Sequence, residues 1–205
     1  MGEISGKRYF QVKHIGRKFY HLFGGLILLS LYYVLGRERA LLIYAVLFLA
    51  AVSLDAARLM IPAFNRFMFS RFRSFIRESE EHSLTGTPAY VLGIGLSLYL
   101  YAFETAAAAV CFLAFGDVAA TTIGERFGKT KIRGKSLEGT AAFVVAAMAA
   151  GFFLSRVGVH IDAAIIIVGA LVAAGVELLP LPLNDNLTIP LISGGAMQLL
   201  SGWIS

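Results

Sequence analysis

Charge is scarce in this sequence: only 15% of its 205 residues are Asp, Glu, Lys or Arg, and it holds one cysteine and one tryptophan. So little charge, beside 58% apolar residues and a mean hydropathy of +0.74, excludes an ordinary soluble domain and makes the bilayer the solvent. The lone cysteine, Cys111, excludes an internal disulfide, and its place inside an apolar run argues against a thiolate metal site. No apolar run alternates with the period of a barrel strand, which leaves helices to satisfy the backbone in lipid. The basic opening MGEISGKRYFQVKHIGRK leads to an apolar segment without a small-residue cleavage site, so that segment reads as a retained span. The expectation is an all-α polytopic membrane protein, one integral membrane unit over residues 1–205, with no nucleic-acid partner.

What is present is apolar sequence in about seven runs, each near the roughly 20 residues a transmembrane helix needs. They lie near 19–36, 40–61, 87–103, 105–124, 138–155, 163–180 and 187–204; the sixth is interrupted by Glu177 before Pro180 and Pro182. Basic residues cluster in alternate connections. Lys7, Arg8, Lys13, Arg17 and Lys18 precede the first span, Arg58, Arg66, Arg71, Arg73 and Arg77 follow the second, and Arg126, Lys129, Lys131, Arg133 and Lys135 follow the fourth. Seven alternating spans put all of these on one side, which the positive-inside rule makes cytoplasmic, with the N-terminus. Orientation accounts for the cations. It does not account for Asp55, Glu78, Glu80, Glu81, Asp117, Glu125, Glu138, Glu177, Asp185 and Asn186, which map to the same side although acids contribute little to topology.

Asp117 follows an apolar run that reaches back to Glu104. A carboxylate within a span costs about 2.5–3.5 kcal/mol on insertion scales, so it is a functional candidate, the plain alternative being an acid at the headgroup layer. Helical spacing places Thr121 and Gly124 on its face. The following stretch, ERFGKTKIRGKSLEG, alternates glycines at 124, 128, 134 and 139 with cations. Glycine permits close backbone approach and Lys or Arg pairs with phosphate oxygens, so the stretch suits a polyphosphate or, more simply, anionic lipid. Gly134, Lys135 and Ser136 do not end a P-loop, because Lys129 stands where its first glycine belongs and no strand precedes it. Ser136 and Glu138 begin the fifth span, whose exposed amides suit phosphate.

ELLPLPLNDNLTIP, residues 177–190, has the composition of a broken membrane helix or of a plain turn. Its Glu177, Asp185 and Asn186 are hard oxygen donors which, with Asp117, form a candidate magnesium site shared with phosphates. Arg17 and His21, four apart, share a helix face beside Lys18, while Asp55 and Arg58, three apart, form an ion pair at the end of the second span.

Taken in order, Gly116-Asp117, Gly124, Gly128, Gly134-Lys135-Ser136 and Glu138-Gly139-Thr140 resemble the signature of CTP-dependent lipid-alcohol kinases, the dolichol, phytol and diacylglycerol kinases that use CTP. The resemblance extends to Arg17, Lys18 and His21, to Asp55 and Arg58, to Glu81 with Thr85-Gly86, and to residues 177–190, covering nearly the whole chain. It implies magnesium-assisted transfer of the CTP γ-phosphoryl group to a membrane lipid alcohol, a polyprenol or dolichol first and diacylglycerol second. It also implies roles: Asp117 as principal magnesium ligand and Asp185 as a second, Lys135, Lys129 and Arg133 on the triphosphate, and Glu138 or Asp55 as general base. Gly116, Thr121, Gly124, Gly128, Gly134, Ser136 and Gly139 would line the nucleotide. Arg17, Lys18, His21, Arg58, Glu81 and Asn186 would meet substrate or phosphate.

A cytidylyltransferase making a CDP-lipid also resembles the chain, but its closing motif, paired glycines after a histidine and then two aspartates flanking an arginine, is missing after residue 140. A small transporter suits intramembrane acids and a broken helix equally, though the two halves share no repeat. The run AAFVVAAMAAG, 141–151, permits close helix packing within the chain or between copies in a homo-oligomer.

Overall fold

The computed structural model describes residues 15–132, 134–179 and 181–204. Each of the seven apolar runs is helical, with boundaries close to those the hydropathy sets. Helix α1 (Ile15–Leu35) is separated from α2 (Arg37–Met60) by Gly36, whose φ of 80° admits a sharp reversal that a side chain would oppose. The extended Ile61 then stops α2, and Pro62 at the first position starts α3 (Pro62–Arg71), as its fixed φ and missing donor favour. No residue of α3 is buried, and Phe67 is 58% exposed, so this basic helix lies along the outside of the bundle.

An irregular segment containing a short turn at Glu78–Glu80 leads to α4 (Gly86–Leu100), whose N-terminus is capped by Thr85. Next, α5 (Phe103–Cys111) runs through a widened π-helical turn at Phe112–Gly116 into α6 (Asp117–Phe127). Here α5 is the central column: Ala106 to Val110, Phe112 and Leu113 have no exposed surface, and the alanines let neighbouring helices approach closely. Beyond α6, β1 (Lys131–Ile132) pairs antiparallel with β2 (Lys135–Ser136), Ile132 opposite Lys135, around Gly134 at φ 93°. Helices α7 (Leu137–Arg156), α8 (Ala163–Leu178) and α9 (Asp185–Ile204) complete the fold.

Four helical stretches, α1, α2, Phe103–Phe127 and α7, are long and apolar enough to cross a membrane. Of the other expected spans, α4 and α8 are apolar but have 15 and 16 residues, roughly 22–24 Å of rise, less than a hydrocarbon core of about 30 Å. The 177–190 stretch is not one interrupted helix: α8 stops at Leu178 and α9 begins at Asp185. Pro190 inside α9 cannot donate to the carbonyl of Asn186, and α4 passes so near that oxygen that a Cβ on Gly93 would stand 2.4 Å from it. The small residues of α7 are used within the chain; a Cβ on Gly151 would meet Ile166 of α8 at 2.6 Å.

Candidate active site

Short connections between packed helices return the chain repeatedly to one end of the bundle. There the first turns of α1, the last turns of α2 and α8, the 72–85 segment, α6, the β-hairpin and the starts of α4, α7 and α9 meet around three cavities. Two of them, of about 200 and 270 Å³, share Arg77, Asp117, Lys135 and Asp185 as walls. The third, of about 230 Å³, adjoins the first of these at Arg17.

Lys135 is the electrostatic centre of the shared wall. β2 aims its ammonium between α8 and α9, where it stands 2.8 Å from Asp185 Oδ2 and 3.3 Å from Glu177 Oε1, and donates to the Glu177 carbonyl. That carbonyl belongs to the last turn of α8, where helix geometry leaves acceptors without an intrahelical donor. Glu177 also accepts from Thr140 Oγ1 at 3.4 Å. Opposite, Asp117 opens α6 directly after the widened turn, with Thr121 Oγ1 donating to its carbonyl at 2.8 Å. Its Oδ2 lies 3.5 Å from Nδ1 of His21, which is 2% exposed and whose Nδ1 has no hydrogen-bond partner among the described residues.

Of the residues expected around a nucleotide, Thr121, Gly124, Gly134, Ser136 and Gly139 line the larger cavity with Lys135. Ser136 caps α7, its Oγ accepting from the Gly139 amide at 3.1 Å. The glycines serve packing as well. A Cβ on Gly139 would meet the Ala120 carbonyl at 2.8 Å, and one on Gly128 the Gly124 carbonyl at 2.4 Å, so both are needed where α6 and α7 touch. Gly116 packs under the Phe143 ring and Gly128 under Ser136, and neither lines a cavity. Lys129 is exposed away from the cavities, and Arg133 lies outside the described residues.

Both residues expected as general base have their carboxylates engaged by backbone amides, and neither lines the two cavities that share Asp117. Glu138 lines none of the cavities; its carboxylate accepts from the Thr130 amide at 3.2 Å, fastening the hairpin to α7. Asp55 is 4% exposed with both oxygens engaged, Oδ1 by Arg58 Nε at 3.2 Å and Oδ2 by the Thr85 amide and hydroxyl at 2.7 and 2.9 Å. Arg58, 1% exposed, donates further to Asn65 Oδ1 and to the carbonyls of Glu80, Glu81 and Ser83. This buried pair therefore shapes the 77–85 segment.

Lys18 turns to Glu125 of α6 at 2.8 Å and lines no cavity. Glu81 contributes its carbonyl while its side chain is exposed; it is Glu80 whose carboxylate ties the segment together, accepting from the Arg77 and Gly86 amides. Asn186, 4% exposed, donates to the Gly86 carbonyl at 3.0 Å and lines the smaller shared cavity. Arg77 reads from the sequence only as one of the orienting cations after the second span; the path of the 72–85 segment places it in both shared cavities.

The donor set fits magnesium that arrives with a polyphosphate. Cations at the larger cavity are Arg77, Lys131 and Lys135, against the carboxylates of Asp117, Glu125, Glu177 and Asp185. With Glu125 paired to Lys18, three formal positive charges face the three carboxylates of Asp117, Glu177 and Asp185, a balance that a divalent ion would tip toward a triphosphate. Magnesium is commonly held by one or two carboxylates plus phosphate oxygens, and Asp117 and Asp185 are the two on the shared wall. A protein-only cage is not assembled: among the described residues no group of three His, Cys, Asp or Glu side chains meets at metal-binding distance, and the Lys135 ammonium stands between Asp185 and Glu177, pairing with both.

Three fungal proteins named CTP-dependent diacylglycerol kinase 1 are similar to this chain. That of Schizosaccharomyces pombe is 30% identical over 168 residues, which cover 75% of this chain and 77% of the relative. That of Saccharomyces cerevisiae is 30% identical over 217 aligned positions, 90% of this chain and 72% of the relative. That of Eremothecium gossypii is 31% identical over 150 residues, 70% and 47%. None of these names carries a polyprenol or dolichol, the acceptor that the sequence reading puts first. No protein-family model and no solved structure matches the chain.

Proposed function

Since the chain belongs to the CTP-dependent lipid kinase family, we propose that it transfers the γ-phosphoryl group of CTP to the free hydroxyl of diacylglycerol at the cytoplasmic face of a membrane. The observation that carries this reading is the pair of adjoining cavities sharing Arg77, Asp117, Lys135 and Asp185. Diacylglycerol replaces polyprenol as the first acceptor because it is the substrate named for the relatives.

In this reading the acceptor oxygen bonds to the γ-phosphorus as the bond from that phosphorus to the β,γ-bridging oxygen breaks. The products are phosphatidic acid, CDP and the proton of the hydroxyl. Phosphoryl transfer asks a protein mainly for positioning and charge neutralisation. Asp117 and Asp185 would hold magnesium, whose charge would offset that of the phosphates. Lys135 and Arg77 approach the triphosphate oxygens from the hairpin and from the 77–85 segment. The α7 N-terminus, capped by Ser136, offers amides to the same anion.

The test is purified protein in mixed micelles with CTP labelled at the γ-position, offered diacylglycerol, a polyprenol, phytol, or phosphatidic acid, and repeated with ATP. Label in phosphatidic acid formed from diacylglycerol, lost with Asp117→Asn, is the expected result. Label released as pyrophosphate from phosphatidic acid would instead establish a cytidylyltransferase. Transfer to polyprenol in preference to diacylglycerol would overturn the acceptor.

A further inference from the structure

The third cavity is built unlike the two that share Asp117. On one side α2 presents Ala51, Leu54, Asp55 and Arg58, spaced three and four apart and so on one helix face. On another, α1 presents Arg17, Tyr20 and His21 with the same spacing. The outer wall consists of Met68 from α3 with Phe72, Phe75 and Ile76 just after it. Leu54, Phe72 and Phe75 are 47%, 41% and 49% exposed, so the mouth opens through large apolar side chains on the outer surface of the bundle, where lipid lies.

The inner end is polar. It holds Arg17, His21, Glu80 and Thr87, and its remaining cation, Arg58, is already engaged by Asp55, Asn65 and three carbonyls. His21 forms the partition: its ring lines this cavity while its Nδ1 stands 3.5 Å from Asp117 Oδ2, on the wall of the other two. Arg17 lines this cavity and the smaller shared one. About 230 Å³ is headgroup-sized, below the roughly 300–1,000 Å³ of cavities that enclose drug-sized ligands, so long tails must stay outside it.

We infer that this cavity is the acceptor site: it takes the glycerol end of a diacylglycerol-class amphiphile from the bilayer through the Leu54, Phe72 and Phe75 mouth and directs the free hydroxyl past His21 toward Asp117. The inference rests on the kinase reading for what lies beyond His21, but the binding site itself does not depend on turnover. An apolar mouth and a single polar end match a neutral alcohol with tails. The polar residues at the inner end suit a hydroxyl.

The experiment uses the full chain in mixed micelles with a diacylglycerol bearing a photoreactive diazirine close to the glycerol on one acyl chain, and maps the crosslinked residues. Labelling of Met68, Phe72, Phe75 or Leu54, competed by unlabelled diacylglycerol, is expected. In parallel, Leu54→Trp and Ala51→Phe fill the cavity. Each should raise the apparent KM for diacylglycerol tenfold or more while the KM for CTP changes less than twofold, a split that misfolding would not produce.

Labelling confined to other faces of the bundle, or variants whose lipid KM is unchanged, would overturn the assignment even if the wild-type kinase is fully active. If no phosphoryl transfer occurs with any lipid, the kinase reading fails while the crosslinking map still decides the cavity. Stronger labelling of the same residues by a polyprenol diazirine than by the diacylglycerol probe would overturn the proposed ligand class.

Discussion

Replacing Asp55 by Asn separates two roles that predict different outcomes. Its carboxylate is 4% exposed and joins Arg58 of its own helix to Thr85 at the start of α4 through three hydrogen bonds of 3.2, 2.7 and 2.9 Å. Hydrogen bonds to charged groups contribute about 1.5–3 kcal/mol each. Asn retains one oxygen able to accept from Thr85 but offers Arg58 an amide where it had an anion. Breaking a buried pair by removing one partner costs roughly 3–5 kcal/mol. Arg58 keeps Asn65 and three carbonyls, so we expect a loss centred on the lower limit of that range, about 2–4 kcal/mol.

For a chain of this size that corresponds to a fall of about 4–16 °C in unfolding temperature, read by thermal unfolding in detergent. Because Arg58 holds the segment that carries Arg77, the apparent KM for CTP should rise about three- to tenfold, equivalent to roughly 0.7–1.4 kcal/mol, while kcat per folded molecule changes little. A general base removed in this way would instead lower kcat by about 10²–10⁴. A loss of that size with the unfolding temperature unchanged would place Asp55 at the reacting atoms and refute the positional argument.

Asp117→Asn should lower kcat by about 10²–10³ with the unfolding temperature preserved, measured with γ-labelled CTP. CTP should raise the unfolding temperature more when magnesium is present; equal stabilisation in EDTA would contradict the charge balance drawn from Arg77, Lys131 and Lys135 against Asp117, Glu177 and Asp185. Gly128→Ala places a methyl group 2.4 Å from the Gly124 carbonyl and 2.7 Å from Ser136 Oγ, so the last turn of α6 must shift and its contact with the Ser136 cap must open, with a loss of about 1–3 kcal/mol in chemical unfolding. Lys135→Ala should raise the KM for CTP tenfold or more, about 1.4 kcal/mol, and a KM left unchanged would remove Lys135 from the triphosphate contacts.

The helices were legible in the sequence because lipid imposes a length and an apolar composition on each of them, and α1, α2 and α7 run close to their expected bounds. The segment from Pro62 to Thr85 was not, since its course is set by one buried guanidinium reaching three carbonyls, which leaves no periodic trace. Hence Arg77 reads only as an orienting cation, and the sequence points to Glu81 where the fold uses the carboxylate of Glu80, one position away. Asp117, Lys135 and Asp185 stand out in the sequence because a charge beside apolar sequence needs a reason, and the fold brings the three to one wall. Glycines misled for the opposite cause: the same residue type serves ligand approach and helix contact, and Gly116 serves the contact with Phe143. Glu138 and Asp55 carry the right chemistry for a base, but their oxygens bind backbone amides, which no residue pattern announces.

The widened turn at Phe112–Gly116 gives the Phe103–Phe127 rod two independent phases. A turn of this kind holds an additional residue, and each residue advances an α-helix by about 100°. The alanine face of α5 can thus be locked in the bundle's interior while α6 is rotated to suit catalysis. Deleting one residue between 112 and 116 would close the turn to an ordinary α-helical one and leave Asp117, Thr121 and Gly124 near their present bearing, because the widened turn already absorbs the extra residue. An unbroken α-helix that kept all of these residues would instead turn Asp117, Thr121 and Gly124 by about 100° together, away from Lys135, so the width of one turn sets the bearing of the acid.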